Sequence, residues 1–378
     1  MRILHVHSGN LYGGVERLLV TLARHEREVV PSMESHFAVC FEGRLSEELV
    51  QASAPVHLLG DVRVRHVGSV WRARSVLRKL LASGSYNVVV CHSDWSNAIF
   101  GSIARRGRKP LVRWVHGLGK RTHWLEVWAR MTKPDVVLCN SYFTRDAAVR
   151  MFPGVRSEVL YCPAEPPTDH SWEERLALRS QLATAPDATV LVQVSRMEAG
   201  KGQKLHLQAL ALLQNLPGWV CWQVGGSQRK QERRYLDELV ELARNLGLGE
   251  RIRFLGERTD VSRVLAAADI YCQPNSSPEG FGMGLIEALW ARLPIVTSDM
   301  GGAREIVLES CGILVGSGDA ARLADCLGRL ICDTGLRARL GASGPARARE
   351  LCDCATQITL LEQYLTGIRG DGSIATTA

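Results

Sequence analysis

Met1-Arg2-Ile3-Leu4-His5-Val6-His7 passes directly into Ser8-Gly9-Asn10-Leu11-Tyr12-Gly13-Gly14-Val15-Glu16-Arg17, a short apolar run followed by a glycine-bearing turn and the opening of a helix. A strand that feeds a helix through a tight turn is the first half of a parallel βαβ unit. Polar residues inside the run and the lack of a long apolar core favour a first strand over a secretory leader, and so a cytoplasmic protein. The same rhythm recurs along the chain. Runs rich in Val, Ile and Leu fall at 3–7, 36–41, 55–59, 87–91, 111–115, 135–139 and 158–161, with helical spacing between them. Cys162-Pro163-Ala164-Glu165-Pro166-Pro167-Thr168 interrupts the pattern with three prolines, and 171–182 then reads as a capped helix. A second series of runs lies at 189–194, 219–224, 251–255, 270–273, 294–297 and 312–315, with helical patterns at 319–333 and 345–365. The reading is α/β: two doubly wound, Rossmann-like domains at 1–165 and 166–350. A C-terminal helix and a small, polar, fraying tail occupy 351–378.

A chain of 378 residues exceeds one ordinary core and fits two domains. A hydrophobic content of 46% with near-zero mean hydropathy describes a globular protein, and the longest apolar runs, such as 87–91, are far too short to cross a bilayer. Eleven cysteines occur singly, with Cys40, Cys91, Cys139, Cys221 and Cys272 inside apolar runs. Cys352 and Cys354 are too close for C-x-x-C spacing, so all eleven are read as buried, reduced thiols. Charge is uneven: residues 1–165 carry 23 Lys and Arg against 14 Asp and Glu, net +9, and the remainder carries 23 against 25, net −2. A basic half attracts nucleic acid, anionic lipid or a phosphorylated acceptor. No helix-turn-helix, zinc-finger or aromatic-basic signature is present, so nucleic acid is not expected as a partner. Trp124, Leu125 and Trp128 near Lys120, Arg121, Arg130 and Lys133, and the stretch 71–81 with four basic residues, suit peripheral membrane contact through this domain. The outer helices of any α/β layer read in the same way.

The glycines around Gly13 and Gly14 permit close backbone approach, and the helix they open offers N–H groups to an anion. The spacing is not G-x-G-x-x-G, so dinucleotide binding is poorly supported, and a plain tight turn explains the loop equally well. Arg113-Trp114-Val115-His116-Gly117 puts an imidazole at the carboxyl end of the fifth strand, where open α/β sheets bind ligands; a structural histidine is the alternative. Ser195-Arg196-Met197-Glu198-Ala199-Gly200-Lys201-Gly202 sets two cations five residues apart around a turn, a pair able to grip a diphosphate, or else a solvated basic loop. The most specific segment is Pro278-Glu279-Gly280-Phe281-Gly282-Met283-Gly284-Leu285-Ile286-Glu287-Ala288. Its alternating glycines expose N–H groups just before a helix, as a pyrophosphate needs. Glu287, a turn inside that helix, suits a ribose diol, and Glu279 suits a sugar hydroxyl.

This ordered set resembles the family-four retaining glycosyltransferases, whose hallmark is a Glu-x7-Glu motif, here Glu279 to Glu287. The likeness also takes in the Gly13-Gly14 loop, His116, Asn140-Ser141-Tyr142-Phe143-Thr144, Arg196 with Lys201, Gly225-Gly226, residues 266–270 and 301–307. It implies a GT-B fold, two Rossmann-like domains facing each other across a cleft, with the C-terminal domain taking a nucleotide-diphosphate sugar and the N-terminal domain a glycan or lipid-linked acceptor. Carried onto matching positions, it gives the diphosphate to Arg196 and Lys201, and the ribose to Glu287. Sugar and phosphates fall to Glu279, Gly280, Phe281, Gly282 and Met283, the transferred sugar to His116, the base to Gly256 and Arg258, and a further donor contact to Gly14. No cofactor and no metal are expected, in keeping with the lack of an Asp-x-Asp motif. One departure is Gly302-Ala303-Arg304-Glu305, where many relatives have a proline before the glutamate. Two rivals share the architecture, a nucleotide-sugar epimerase and a non-catalytic nucleotide-sugar-binding protein. The full set of His116, both cations and both glutamates favours a transferase.

Overall fold

The computed structural model describes residues 1–117 and 124–370. The chain divides into two compact units: Met1–Glu165 together with the chain from Cys352 onward, and Pro166–Leu351. In the first, β1 (Arg2–His7), β2 (Glu34–Val39), β3 (Val56–Leu58), β4 (Val88–Cys91), β5 (Leu111–Val115), β6 (Val136–Cys139) and β7 (Arg156–Val159) form one parallel sheet ordered β3-β2-β1-β4-β5-β6-β7. In the second, β8 (Thr189–Val194), β9 (Trp219–Val224), β10 (Ile252–Gly256), β11 (Ile270–Gln273), β12 (Ile295–Ser298) and β13 (Gly312–Val315) form another, ordered β10-β9-β8-β11-β12-β13. Both are Rossmann-like. Every residue of β4, β5, β6, β11 and β12 is buried, which is why these strands read as unbroken apolar runs: helices cover both faces of a parallel sheet.

The runs expected to open at Pro55 and Pro294 open one residue later, because proline has no N–H for the ladder. Their carbonyls still accept, from Phe37 N at 2.9 Å and Tyr271 N at 3.0 Å. The helix expected at 171–182 is Trp172–Gln181, capped by the Ser171 hydroxyl, which accepts from Glu174 N at 3.2 Å. One helix expectation fails. In place of a helix over 345–365 there are two, Thr334–Cys352 and Cys354–Gly370, and the first runs through Pro345. Gly341 and Gly344 look like breakers in the sequence but are packing residues. A Cβ at either would lie 2.1 Å from Arg292 O or 2.5 Å from Leu289 O, so only glycine lets this helix approach so closely. The break falls at Asp353, whose carboxylate accepts from Thr356 N at 2.9 Å. The last helix belongs to the first unit, where Tyr364 donates to Val159 O at 3.3 Å. The stretch 367–378, expected to fray, is helical as far as Gly370, and residues 371–378 lie outside the described residues. All eleven cysteines are free; Cys332, read as buried, is exposed.

Each sheet reverses its strand order once, between β1 and β4 and between β8 and β11, and the loops leaving those strands meet at the reversal, where open α/β sheets take ligands. In the second unit the meeting is backbone against backbone. Gly202 has φ +74°, and a Cβ there would lie 1.7 Å from Pro274 O. Gly202→Ala is expected to destabilise the second unit by about 3 kcal/mol, combining left-handed strain with overpacking. Gly218→Ala, at φ +76° with open space around it, carries only the backbone cost of about 1 kcal/mol, so equal denaturation midpoints for the two would refute the close approach.

Buried imidazoles add a pH dependence. Burial lowers His5 and His206 to about 3 and holds His92 and His116 well below the ordinary value of 6.5. These groups are neutral in the fold but protonate in the unfolded chain below pH 6.5, so the unfolded state binds more protons and stability falls as pH drops from about 6.5 towards about 3. By pH 5 His5 and His206 each account for a loss of about 2 kcal/mol. A thermal midpoint unchanged between pH 7 and pH 5 would show that they charge in place.

Candidate active site

The loop after β8, Ser195 to Gly202, is held from beneath by buried amides. Gln203 Nε2 donates to Ser195 Oγ at 3.0 Å and to Arg196 O at 2.9 Å; Gln193 Nε2 donates to Lys201 O at 2.7 Å; and Gln193 Oε1 lies 2.9 Å from His206 Nδ1. On this support Lys201 Nζ meets Glu279 Oε1, from the loop after β11, at 2.5 Å. The other oxygen, Oε2, accepts from Gln273 Nε2 at 3.0 Å and Asn275 Nδ2 at 3.2 Å, while Tyr271 donates to Gln273 Oε1 at 2.8 Å. Lys201 and Glu279 are 20% and 25% exposed, so a ligand can reach both. Burial, then the nearby Glu287 and Glu279 carboxylates, push the Tyr271 phenol well above its ordinary range and keep it a donor between the two glutamates.

The helix Met283–Trp290 starts from Gly282, φ +119°, with no side-chain cap, so its positive end carries no neutralising residue of its own. Gly280, Phe281 and Gly282 are buried, Met283 and Glu287 partly so. A Cβ at Gly284 would lie 2.5 Å from the Tyr271 hydroxyl, and one at Gly301 2.5 Å from Glu279 O; Gly302 N donates to Glu279 O at 3.0 Å. The Gly301-Gly302 turn after β12 therefore braces the Glu279 loop. Just beyond it, Arg304, where a proline is common, pairs with Asp299 at 2.7 Å.

Arg196 does not turn towards Lys201. Its Nη1 pairs with Glu198 at 2.8 Å and stands 3.6 Å from Glu232 Oε1. Glu232, missed in the sequence reading, is buried in the first turn of the helix Lys230–Asn245 and accepts from the amides of Gln228 and Arg229 at 2.6 and 3.2 Å. Its signal was a glutamate in the first helical turn after Gly225-Gly226, a capping pattern that says nothing of Arg196. At the end of β10, Gly256 (φ +65°) accepts from Gly225 N at 2.8 Å. Arg258 is engaged by both oxygens of Asp260 at 2.8 and 2.6 Å, a bond that raises the guanidinium's pKa and lowers the carboxyl's. A base could therefore meet the plane of Arg258 rather than its donor fork.

In the first unit, Gly14 opens the helix Gly14–Val29 behind an N-cap, Gly13, that brings no side-chain bond. His116 follows β5, its Nε2 3.1 Å from His92 Nδ1, its carbonyl accepting from Asn140 Nδ2 at 3.1 Å, and its ring stacked on Trp114 and His92. Burial, then Arg113 and His7, keep it neutral. His7 and Glu16, also unforeseen, pair at 2.6 Å in the interior. In the two segments that the sequence marks as basic and aromatic, Trp124 is 55% and Trp71 67% exposed; Lys120 and Arg121 lie outside the described residues. No helix among the described residues is long and apolar enough to cross a membrane.

Comparison with known proteins reports on the whole arrangement. Residues 174–347 match the model of the glycosyl transferases group 1, and residues 12–166 that of glycosyltransferase family 4. A D-inositol 3-phosphate glycosyltransferase of Xylanimonas cellulosilytica is 34% identical over 309 residues, 75% of this chain and 72% of that protein. A phosphatidyl-myo-inositol mannosyltransferase of Mycobacterium leprae is 27% identical over 351 residues, 91% of this chain and 90% of the relative. The crystal structure of Anabaena Alr3699/HepE in complex with UDP and glucose superposes with a TM-score of 0.85 at 24% identity, over 97% of this chain and 100% of that one, a likeness of fold. With its two parallel α/β units of GT-B type, the chain belongs to the group 1, family 4 glycosyltransferases.

Proposed function

We propose that this glycosyltransferase moves a hexosyl group from a nucleoside diphosphate sugar to a glycan or lipid-linked acceptor, with retention of anomeric configuration and without a metal ion. The observation that carries the reading is the Lys201–Glu279 pair beside the uncapped start of the helix Met283–Trp290, at the strand-order reversal of the second sheet. A cation and a helix N-terminus stabilise the charge that grows on a departing diphosphate, the task a metal performs elsewhere. Lys201 and Arg196 hold the diphosphate, the backbone of 280–283 its oxygens, Glu287 the ribose, Glu279 a sugar hydroxyl, and Gly256 and Arg258 flank the base. Gly14 and His116 serve the phosphate and the transferred sugar. In same-face transfer the bond from the anomeric carbon to the phosphate oxygen breaks as the bond to the acceptor oxygen forms. The departing phosphate oxygen takes the acceptor's proton, so no protein nucleophile is required.

Acceptor class follows from charge and kinship. Residues 1–165 carry a net +9, and two of the relatives are named for phosphorylated or phosphatidyl inositols. A phosphate-bearing polyol or glycolipid fits that surface. Trp71 and Trp124, exposed beside basic residues, support peripheral contact with the inner face of a membrane. The base is open: one relative is named as GDP-mannose-dependent, while HepE was solved with UDP.

Thermal shift against UDP, GDP, ADP, dTDP and CMP tests the donor site. One nucleoside diphosphate is expected to stabilise the protein equally with and without EDTA, by about 2.7 kcal/mol at a hundredfold excess over Kd. Glu287→Ala and Arg196→Ala should abolish the shift, and stabilisation that survives both would move the site elsewhere. The product anomer, read by NMR from the first turnover, is expected to match the donor; inversion would overturn the same-face mechanism.

A further inference from the structure

Both cations of the loop after β8 have carboxylate partners. Lys201 meets Glu279, a residue of the sugar site, but Arg196 is held by Glu198 and Glu232, which take no part in that site. The backbones carrying this second set are locked together. Ser195 N donates to Val224 O at 2.9 Å and Met197 N to Gly226 O at 3.4 Å, and a Cβ at Gly225 would lie 1.8 Å from Ser195 O. The helix Lys230–Asn245 starts just beyond that glycine pair. Glu232 and the backbone of Arg196 therefore stand in a fixed relation, and the long arginine side chain is the part able to change partner.

Glu232 divides its oxygens. Oε2 accepts from the amides of Gln228 and Arg229 at 2.6 and 3.2 Å and so closes the start of the helix. Oε1 is buried, takes no hydrogen bond, and faces Arg196 Nη1 at 3.6 Å. That separation is too long for a hydrogen bond but well within charge attraction. Glu198 makes the shorter contact, 2.8 Å, yet its side chain is 31% exposed, so water and salt screen it; that of Glu232 is 4% exposed and is screened little. Helix capping uses Oε2 alone. A buried carboxylate oxygen without a hydrogen bond costs free energy unless a cation stands beside it, and Arg196 is that cation. An arginine has one planar fork, so a diphosphate that engages it must take it from the two carboxylates. The fraction of time for which the guanidinium is released then scales the affinity for the nucleotide.

We propose that Glu232, with Glu198 as the weaker partner, is a positioning residue that sets how tightly the nucleoside diphosphate is held. It draws Arg196 off the diphosphate and so lets the nucleotide leave once the sugar has been transferred. The inference rests on the assignment of Arg196 to the diphosphate. No covalent bond changes: the guanidinium exchanges phosphate oxygens for carboxylate oxygens, and Glu232 Oε1 regains its cation as the nucleotide departs. A glutamate with only a capping role predicts the opposite sign, since its loss would loosen the loop and weaken binding.

Glu232→Gln keeps an oxygen for the two helix amides and removes the charge. Titration calorimetry of the full chain with UDP and with GDP is expected to give, for the nucleotide that binds, a Kd about tenfold lower than in the wild type. In transfer assays donor KM is expected to fall, inhibition by that nucleotide to sharpen, and kcat to drop as release slows. Glu232→Asp, which restores the charge, is expected to return Kd towards the wild-type value. Glu198→Gln leaves the helix untouched and is expected to tighten binding about twofold, which carries the test if Glu232→Gln does not fold. Unchanged or weaker binding in Glu232→Gln at an unchanged thermal midpoint overturns the proposal. So does a gain that persists in Arg196→Gln titrated at millimolar nucleotide, because that gain is plain repulsion between Glu232 and the diphosphate. The assignment of Arg196 fails by a different sign. Its Nε–H signal, identified in protein labelled with nitrogen-15 arginine by its loss in Arg196→Gln, is expected to move when nucleotide is added. A signal that stays while nucleotide binds takes Arg196 away from the diphosphate. A signal that moves while Kd ignores Glu232→Gln keeps Arg196 there and removes the role of Glu232.

Discussion

Gly202 against Pro274, Gly225 against Ser195, and Gly301 against Glu279 are places where two backbones touch with no room for a side chain; a Cβ would stand 1.7, 1.8 and 2.5 Å from the facing carbonyl oxygen. These contacts tie the loops after β8, β9, β11 and β12 into one cluster at the carboxyl edge of the second sheet. Everything else at the site hangs on that constraint. Lysine is a long, flexible cation with much rotamer entropy to lose, and an exposed pair with glutamate contributes little. Here the backbone contacts hold the loops, and Gln273, itself bonded by Tyr271, and Asn275 orient Glu279 independently of Lys201. The pair then costs little ordering and presents a preorganised charge.

The two units solve the problem of buried polar groups differently. The second relies on amides and ion pairs: Gln193 and Gln203 satisfy the carbonyls under the cation loop, and buried Arg179 donates to Ala267 O, Pro186 O, Ala188 O and Asp269. The first runs neutral imidazoles through its interior. A line of neutral rings from His5 through His92 to His116 avoids the desolvation of a charge. It also makes this unit sensitive to acid, since each ring protonates once the chain unfolds.

Strand positions were legible because parallel strands covered on both faces must be apolar throughout, and that pattern survives in one dimension. Proline shifted two strand starts by a residue for a reason also readable in the sequence. The C-terminal helices differ from the expected single one at residues where glycine carries two meanings. At Gly341 and Gly344 it marks close packing, and only the neighbouring backbone of Leu289 and Arg292 tells that apart from a turn.

The sequence alone determined the order of the strands, the two-unit α/β architecture and the residues of the loops after β8 and β11, because periodicity, prolines and local motif spacing are properties of neighbours along the chain. It could not assign partners to those residues. Arg196 leans on Glu232, Lys201 crosses to Glu279 over 78 positions of sequence, and His116 is reached from Ser35 through the side chains of His5 and His92. Such pairings depend on sheet order and register, which are set when non-local strands align. A line of histidines two residues out of step becomes a line only once β2, β1, β4 and β5 lie beside one another.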